Sequence, residues 1–257
     1  MKNKSFNNLT TAIILFAFLI AVTSFAKANS ISTSDEIAKA KKEGKAVFLV
    51  VTGNGVKDYS SAEKIAKDAS LKKTKSVVIV LNKDDKANTE IVTKLGITGV
   101  SVPFLLVISP KGVPTAGYAP EQATAILLVN AVPSPKQDEA LLALNEKRPV
   151  YIVVSKKSFK DKSGIISNCK SAVSKVSSKP SVIEIYFDDA SEKNFLTQIG
   201  VTEISDKSIV VVANGKGQIT ETFKTAPTVE QLTTAANKVI KSGGCCPGGS
   251  SSGCGKK

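Results

Sequence analysis

The chain has 257 residues, with 35 basic and 22 acidic side chains, a formal net charge of +13 and no histidine. The lack of histidine excludes histidine-based acid–base catalysis, Ser-His-Asp triads and histidine-containing zinc sites. Nucleic-acid binding is disfavoured, because Arg148 is the only arginine, aromatic residues make up 5% of the chain and the lysines are scattered. The basic balance favours a protein or peptide partner with an acidic surface, and the alternative is a lysine-rich surface that serves only solubility.

The first 28 residues have the pattern of an export signal. Lys2 and Lys4 precede an apolar run at 9–22, which is shorter than the about 20 residues that a membrane span needs. Ala26-Lys27-Ala28 has the small-x-small form of a cleavage site. We therefore predict a signal peptide at 1–28 and a periplasmic or secreted protein without a stable membrane span. Its removal takes away three lysines and no acid, so +13 becomes +10.

The mature chain repeats itself. At an offset of 104, "VIVLNKDDKANTEIVTKLGITGVSVPFLLVI" falls on "VIEIYFDDASEKNFLTQIGVTEISDKSIVVV", so that Gly96 meets Gly200 and Pro103 meets Lys207. A repeat without a gap over this length is typical of a duplicated unit. We predict two domains, at 29–133 and 134–242, followed by a tail at 243–257.

Each unit is predicted to run helix, strand, helix, strand, helix, hairpin, helix. In the first unit the opening helix precedes a strand at 47–51, and the later elements are expected at 60–73, 76–82, 88–96, 104–118 and 121–132. The two strands are continuous apolar runs, typical of strands buried on both faces. Gly96 should close the third helix, and the hairpin should turn at Lys111-Gly112. The second unit should end in a helix at 228–243 that begins with a Thr228–Gln231 capping box.

Two stretches of the first unit, "AKAKKEGKAVFLVV" and "KLGITGVSVPFLLVISPKGV", resemble the thioredoxin family. In that family the first leads into the central strand, and the second holds a short helix, a cis-proline loop and the last hairpin. The resemblance covers 46–113 and, more weakly, 150–217. It implies two tandem thioredoxin-like three-layer α/β/α domains, and it makes Val102 and a cis Pro103 a candidate peptide-binding loop. A trans proline that begins an edge strand is the alternative, and Lys207 makes such a loop doubtful in the second unit.

The dithiol of thioredoxin-like enzymes is absent from both units. The family's C-x-x-C follows the central strand, where a helix N-terminus activates the thiol. Here residues 51–64 contain no sulfur, and residues 155–170 contain only Cys169. No catalytic residue is assigned, and an enzyme is disfavoured. Cys169 shares a helical stripe with Ile165 and Val173 and falls on Ile65 in the repeat, which predicts a structural, buried cysteine.

Two aspartate pairs, Asp84-Asp85 and Asp188-Asp189, follow the second strand of each unit. A carboxylate pair could bind a hard cation such as calcium, but such a site needs several further oxygens. The favoured interpretation is that an aspartate caps the short helix that follows.

The last 15 residues are glycine, serine, proline, cysteine and lysine and predict a flexible tail carrying Cys245, Cys246 and Cys254. Three thiols could hold a soft metal ion, Cu(I) or zinc, or exchange disulfides with a partner. They could also attach the protein covalently to another, or link a homodimer. The sequence thus predicts an exported, non-catalytic tandem thioredoxin-like scaffold whose tail handles thiophilic metals or thiols. The alternatives are a thiol–disulfide oxidoreductase acting through the tail, or covalent cross-linking.

Overall fold

A computed structural model of the chain describes residues 32–240. The predicted signal peptide and the predicted cysteine tail lie outside the described residues. Within residues 32–240, none of the helices has the length and apolarity that a bilayer crossing requires.

The described chain forms two similar halves, each with a four-stranded sheet. The elements of the first half are α1 (Thr33–Lys42), β1 (Ala46–Thr52), α2 (Ser60–Lys72), β2 (Ser76–Asn82), α3 (Thr89–Lys94), β3 (Phe104–Ile108), β4 (Pro114–Tyr118) and α4 (Ala125–Asn130). Those of the second half are α5 (Pro135–Asn145), β5 (Val150–Ser155), α6 (Lys162–Lys175), β6 (Ser181–Tyr186), α7 (Lys193–Gln198), β7 (Ile209–Ala213), β8 (Ile219–Phe223) and α8 (Val229–Asn237).

The sheets have the same topology, with strand orders β2-β1-β3-β4 and β6-β5-β7-β8. In each, the first two strands are parallel and the last two form an antiparallel hairpin. All residues of β1 and β5 are buried, because these apolar strands are central and are covered by helices on both faces. Each sheet therefore separates two apolar clusters, which gives the three-layer arrangement.

The second strand of each half differs from the expectation of full burial. In β2 only Ile79 and Leu81 are buried, and Val80 between them is 37% exposed. Strand β2 lies at the edge of its sheet, so one face packs on the core while the other is partly open. An apolar run alone does not distinguish a central from an edge strand.

The last helix of each half is shorter than predicted. In the first half, Thr124 caps α4 by accepting a hydrogen bond from Leu127 N–H, so α4 begins later than expected. In the second, the Thr228–Gln231 capping box is present, but α8 ends at Asn237. Beyond it, Ile240 N–H donates a hydrogen bond to the side-chain oxygen of Gln218, and Ile240 C=O accepts one from the side-chain nitrogen of Gln218.

The repeat is present, but its offset is not constant. Buried Ala62, Ala66 and Ala69 of α2 occupy the places of Ile165, Cys169 and Ala172 in α6, an offset of 103. In the 3-10 turns at Lys86–Asn88 and Ala190–Glu192 the offset is 104.

In the third strand the offset becomes 105. Val50 pairs with Leu105, and its counterpart Val153 pairs with Val210. Each one-residue change in the offset falls in a loop, which is one residue longer in the second half than in the first. A slip within a strand would instead exchange its buried and exposed faces. The counterpart of Pro103 is therefore Ser208 and not Lys207, and that of Cys169 is Ala66 and not Ile65.

Candidate peptide-binding site

The candidate site of the first half lies where β1 ends, α2 begins and the chain enters β3. The Val102–Pro103 peptide bond is cis, as the thioredoxin resemblance implied. Both residues are partly buried, and Asn54 and Gly55 of the β1–α2 loop are exposed. Among the described residues, no hydrogen bond involves the backbone N–H or C=O of Val102. An extended peptide could pair with these free groups as an added strand does.

Gly53 brings the loop and the cis-proline segment together. A methyl group added at Gly53 would lie 2.6 Å from Asp84 Oδ2 and 3.2 Å from Val102 Cγ2. A side chain at position 53 would therefore require the Asp84 carboxylate, and to a smaller extent the Val102 side chain, to shift. The Asp84 carboxylate accepts a hydrogen bond from Asn54 N–H at 2.9 Å and so fixes the loop. Asn82 donates to the Asn54 side chain at 2.9 Å.

Asp58, rather than a cysteine, stands at the start of α2. Its carboxylate accepts a hydrogen bond from Ser60 N–H at 2.8 Å. Bonds from the Ser60 backbone and hydroxyl hold the pKa of Asp58 below its ordinary value. A carboxylate here can bind and orient, but it cannot attack a disulfide, which needs a thiolate.

The corresponding place in the second half is held together by its own side chains. Asp161, the counterpart of Asp58 at an offset of 103, does not cap its helix. Its carboxylate instead accepts the backbone N–H of Ser208 at 2.9 Å and lies 2.8 Å from the Ser208 hydroxyl. Pro103, at the equivalent position of the first half, has no N–H to offer.

Lys156 directly follows β5 of the second half. Its ammonium lies 5.6 Å and 5.8 Å from the ring centres of Phe159 and Phe187 and donates to Ile204 C=O at 3.5 Å. Cation–π contacts of this kind hold a lysine in place. The preference drawn from the sequence for the first half as the peptide site stays a prediction.

Cys169 lies in the cluster between β5 and α6 and has no exposed surface. It is a free thiol, and burial raises its pKa to about 12. Such a thiol stays protonated at neutral pH and is a poor nucleophile. This environment supports the interpretation of Cys169 as a packing residue.

One aspartate of each pair, Asp85 and Asp189, caps the 3-10 turn that follows it. Asp85 and Asp189 accept hydrogen bonds from Ala87 N–H and Ser191 N–H, each at 2.9 Å. Within residues 32–240, no three histidine, cysteine, aspartate or glutamate side chains form a group that could hold a metal ion. The proposed metal or thiol residues Cys245, Cys246 and Cys254 lie outside the described residues.

The Asp161–Ser208 contact was not found from the sequence. The constant offset placed Lys207 opposite Pro103, and an aspartate before a helix is usually read as its cap. Only an alignment that allows one-residue gaps would have placed Asp161 and Ser208 in the positions of Asp58 and Pro103.

No family model and no curated protein matches the chain. Matching solved structures include the first two thioredoxin domains of Naumovozyma dairenensis Eps1p, with 12% identity, 79% of this chain and 95% of that chain covered, and a TM-score of 0.31. The same domains of Saccharomyces cerevisiae Eps1p match with 9% identity, the same two coverages and a TM-score of 0.29. Human ERp44 in its zinc-bound form matches with 10% identity, 79% of this chain and 56% of that chain covered, and a TM-score of 0.35.

The fold is assigned from the topology of the sheets and not from these distant similarities. Each half is an α/β domain with a parallel pair of strands, an antiparallel hairpin and helices on both faces of the sheet. The chain carries two tandem thioredoxin-like domains, and in neither of them does a thiol begin the helix that follows the central strand.

Proposed function

We propose that the protein is an exported, non-catalytic binding scaffold with two thioredoxin-like domains, at 29–133 and 134–242. The first domain holds an extended peptide segment of an acidic partner protein at Val102 and Pro103. The free backbone groups of Val102, beside an exposed loop, carry this proposal. Backbone pairing gives affinity without a chemical step.

A matched pair of variants of the first domain tests the site. Gly53→Ala would push a methyl group against Asp84 and Val102, whereas a methyl group at Gly55 meets no atom within 4 Å. We expect Gly53→Ala to weaken binding of an alkylated insulin B chain, a thiol-free extended peptide, by about tenfold. Gly55→Ala should bind as the parent protein does. Equal affinities of all three proteins, measured by fluorescence anisotropy, would refute a site at Val102.

For the tail at 243–257 we propose the handling of thiophilic metal ions or thiols by Cys245, Cys246 and Cys254. This rests on the sequence, since three sulfurs are gathered in one short segment and sulfur ligands suit soft metals. A thiol count of the exported protein distinguishes a free arm from a cross-link or a disulfide-linked homodimer. Uptake of Cu(I) or zinc that is unchanged after deletion of 243–257 would refute the metal role.

The insulin-reduction assay with dithiothreitol addresses the alternative, an oxidoreductase acting through the tail. The scaffold proposal predicts no acceleration by the protein. Acceleration that disappears when the three tail cysteines are replaced by serine would establish the alternative.

A further inference from the structure

Apart from the candidate site at Val102 and Pro103, the molecule has a groove between its two domains. The groove has a volume of about 580 Å³. It is bounded by the ends of α1 and α2, by the β3–β4 turn, by the linker that leads to α5 and by α5 itself. Its lysines are Lys41, Lys42, Lys73, Lys75 and Lys111. We call it the basic groove.

The five lysines come from three separate parts of the first domain. Lys41 and Lys42 lie in the last turn of α1, Lys73 and Lys75 between α2 and β2, and Lys111 in the β3–β4 turn. Lysines at helix C-termini offset the helix dipole, which accounts for the first three. This effect of the helix dipole does not account for Lys75 and Lys111, which lie outside the helices.

In the described part of the chain, the positive charge of these lysines is not neutralised by salt bridges, although the buried Asp138 carboxylate interacts electrostatically with Lys111. Within residues 32–240, none of the five forms a salt bridge, whereas neighbouring Lys45, Lys64 and Lys67 are each paired with an acidic side chain at 2.7 to 2.9 Å. Like charges that share a groove repel one another and attract an anion. An anionic ligand bound among these lysines would therefore reduce their mutual repulsion.

Neither of the two acidic residues of the groove forms a salt bridge with its five lysines in residues 32–240. Asp138 is 3% exposed, and its Oδ2 accepts a hydrogen bond from Lys111 N–H at 3.0 Å. The other acid, Glu139, pairs with Lys136 at 3.1 Å. The Asp138 bond joins the hairpin turn of the first domain to α5 of the second. It holds this wall of the groove in place.

The groove also has an apolar lining of Pro110, Val132, Pro133, Pro135 and Leu142. The Lys41 stem covers the turn, since a methyl group on Gly112 would lie 3.0 Å from Lys41 Cδ. No aromatic residue or arginine lines it among the described residues. Base stacking and bidentate phosphate contacts, which nucleic-acid sites use, are therefore not provided. A concave surface is also a poor fit to a flat membrane.

We propose that the basic groove binds an extended acidic peptide segment of a partner protein, with carboxylates on the lysines and apolar side chains on the prolines and Leu142. This inference rests on the proposed binding function and locates the acidic part of the partner on the molecule. It does not depend on the Val102 site, which lies at the other end of β1.

Fluorescence anisotropy with a labelled Glu-Leu-Glu-Leu-Glu-Leu peptide and the mature full-length protein tests the groove. We expect Lys42→Glu/Lys75→Glu to weaken binding by about tenfold or more, since two attractive contacts become repulsive. The control Lys216→Glu/Lys224→Glu has the same net charge and should bind as the parent does. A peptide with glutamine in place of glutamate should bind about tenfold more weakly than the acidic peptide at low salt.

Three results would overturn the proposal: no binding of the acidic peptide, equal weakening by both double variants, or tighter lysine-dependent binding of anionic vesicles or an oligonucleotide. Circular dichroism establishes that each variant is folded. Gly53→Ala should bind the acidic peptide normally. If the groove variant alone loses binding, the groove is supported independently of Val102, and if only Gly53→Ala loses binding, the groove proposal fails while the Val102 site stands.

Discussion

Replacement of Asp161 by alanine should destabilise the second domain strongly. Its carboxylate accepts the Ser208 N–H at 2.9 Å and lies 2.8 Å from the Ser208 hydroxyl, and Ser208 has no exposed surface. Without the carboxylate, a buried N–H loses its acceptor, and hydrogen bonds to charged groups contribute about 1.5 to 3 kcal/mol each. We expect Asp161→Ala to lower the free energy of unfolding by about 2 to 4 kcal/mol.

Asp58→Ala in the first domain is the matched control. Asp58 occupies the equivalent place but only caps an exposed helix end through Ser60 N–H. Asp58→Ala should therefore lower the free energy of unfolding by clearly less than Asp161→Ala does. Asp161→Asn, which keeps one acceptor oxygen, should fall between the two. Urea denaturation followed by circular dichroism measures all three, and an Asp58→Ala loss as large as that of Asp161→Ala would show that the Ser208 contact contributes little.

Three further predictions concern buried groups. Cys169 should resist iodoacetamide at pH 8 in the native protein and react in urea, because burial raises its pKa to about 12; alkylation of the native thiol, detected by mass spectrometry, would contradict this. Burial raises the pKa of Asp138 above 3.8, although hydrogen bonds from the Ser109 hydroxyl and Lys111 N–H oppose this shift. The titration of Asp138 therefore stabilises the folded state in acid, and this stabilisation is lost as the pH rises from 3.8 through the folded pKa. Asp138→Asn should remove this loss of stability from the plot of unfolding free energy against pH. A plot that is the same for the parent and the variant would refute the prediction. Glu192→Ala should cost about 3 kcal/mol in urea denaturation, since this buried carboxylate accepts Lys136 N–H at 2.9 Å, and Glu192→Gln should cost less.

Local features of the fold followed from the sequence. Strand β2 spans Ser76–Asn82 as predicted, and Gly96 and Gly112 have the positive φ angles, 70° and 83°, that a helix end and a turn require. The Thr228–Gln231 capping box also formed. Each of these depends on a few neighbouring residues, whose preferences act whatever lies elsewhere in the chain.

The equivalence of the two domains was only partly predictable. A constant offset detected the duplication, but it placed Lys207 opposite Pro103 and Ile65 opposite Cys169. Strand pairing and burial place Ser208 and Ala66 there instead. Loops absorb single-residue length changes without altering the pattern of apolar residues, so identity at a fixed spacing does not reveal them.

The sequence by itself determined that no thiol begins the second helix of either domain and that the body of the protein is basic, because these are properties of composition and order. Only the tertiary structure decided which strand lies at an edge, that Asp161 binds Ser208, and that Lys42, Lys75 and Lys111 face one groove. Those contacts join residues tens of positions apart, and their geometry is set by the packing of helices on the sheets and of one domain against the next.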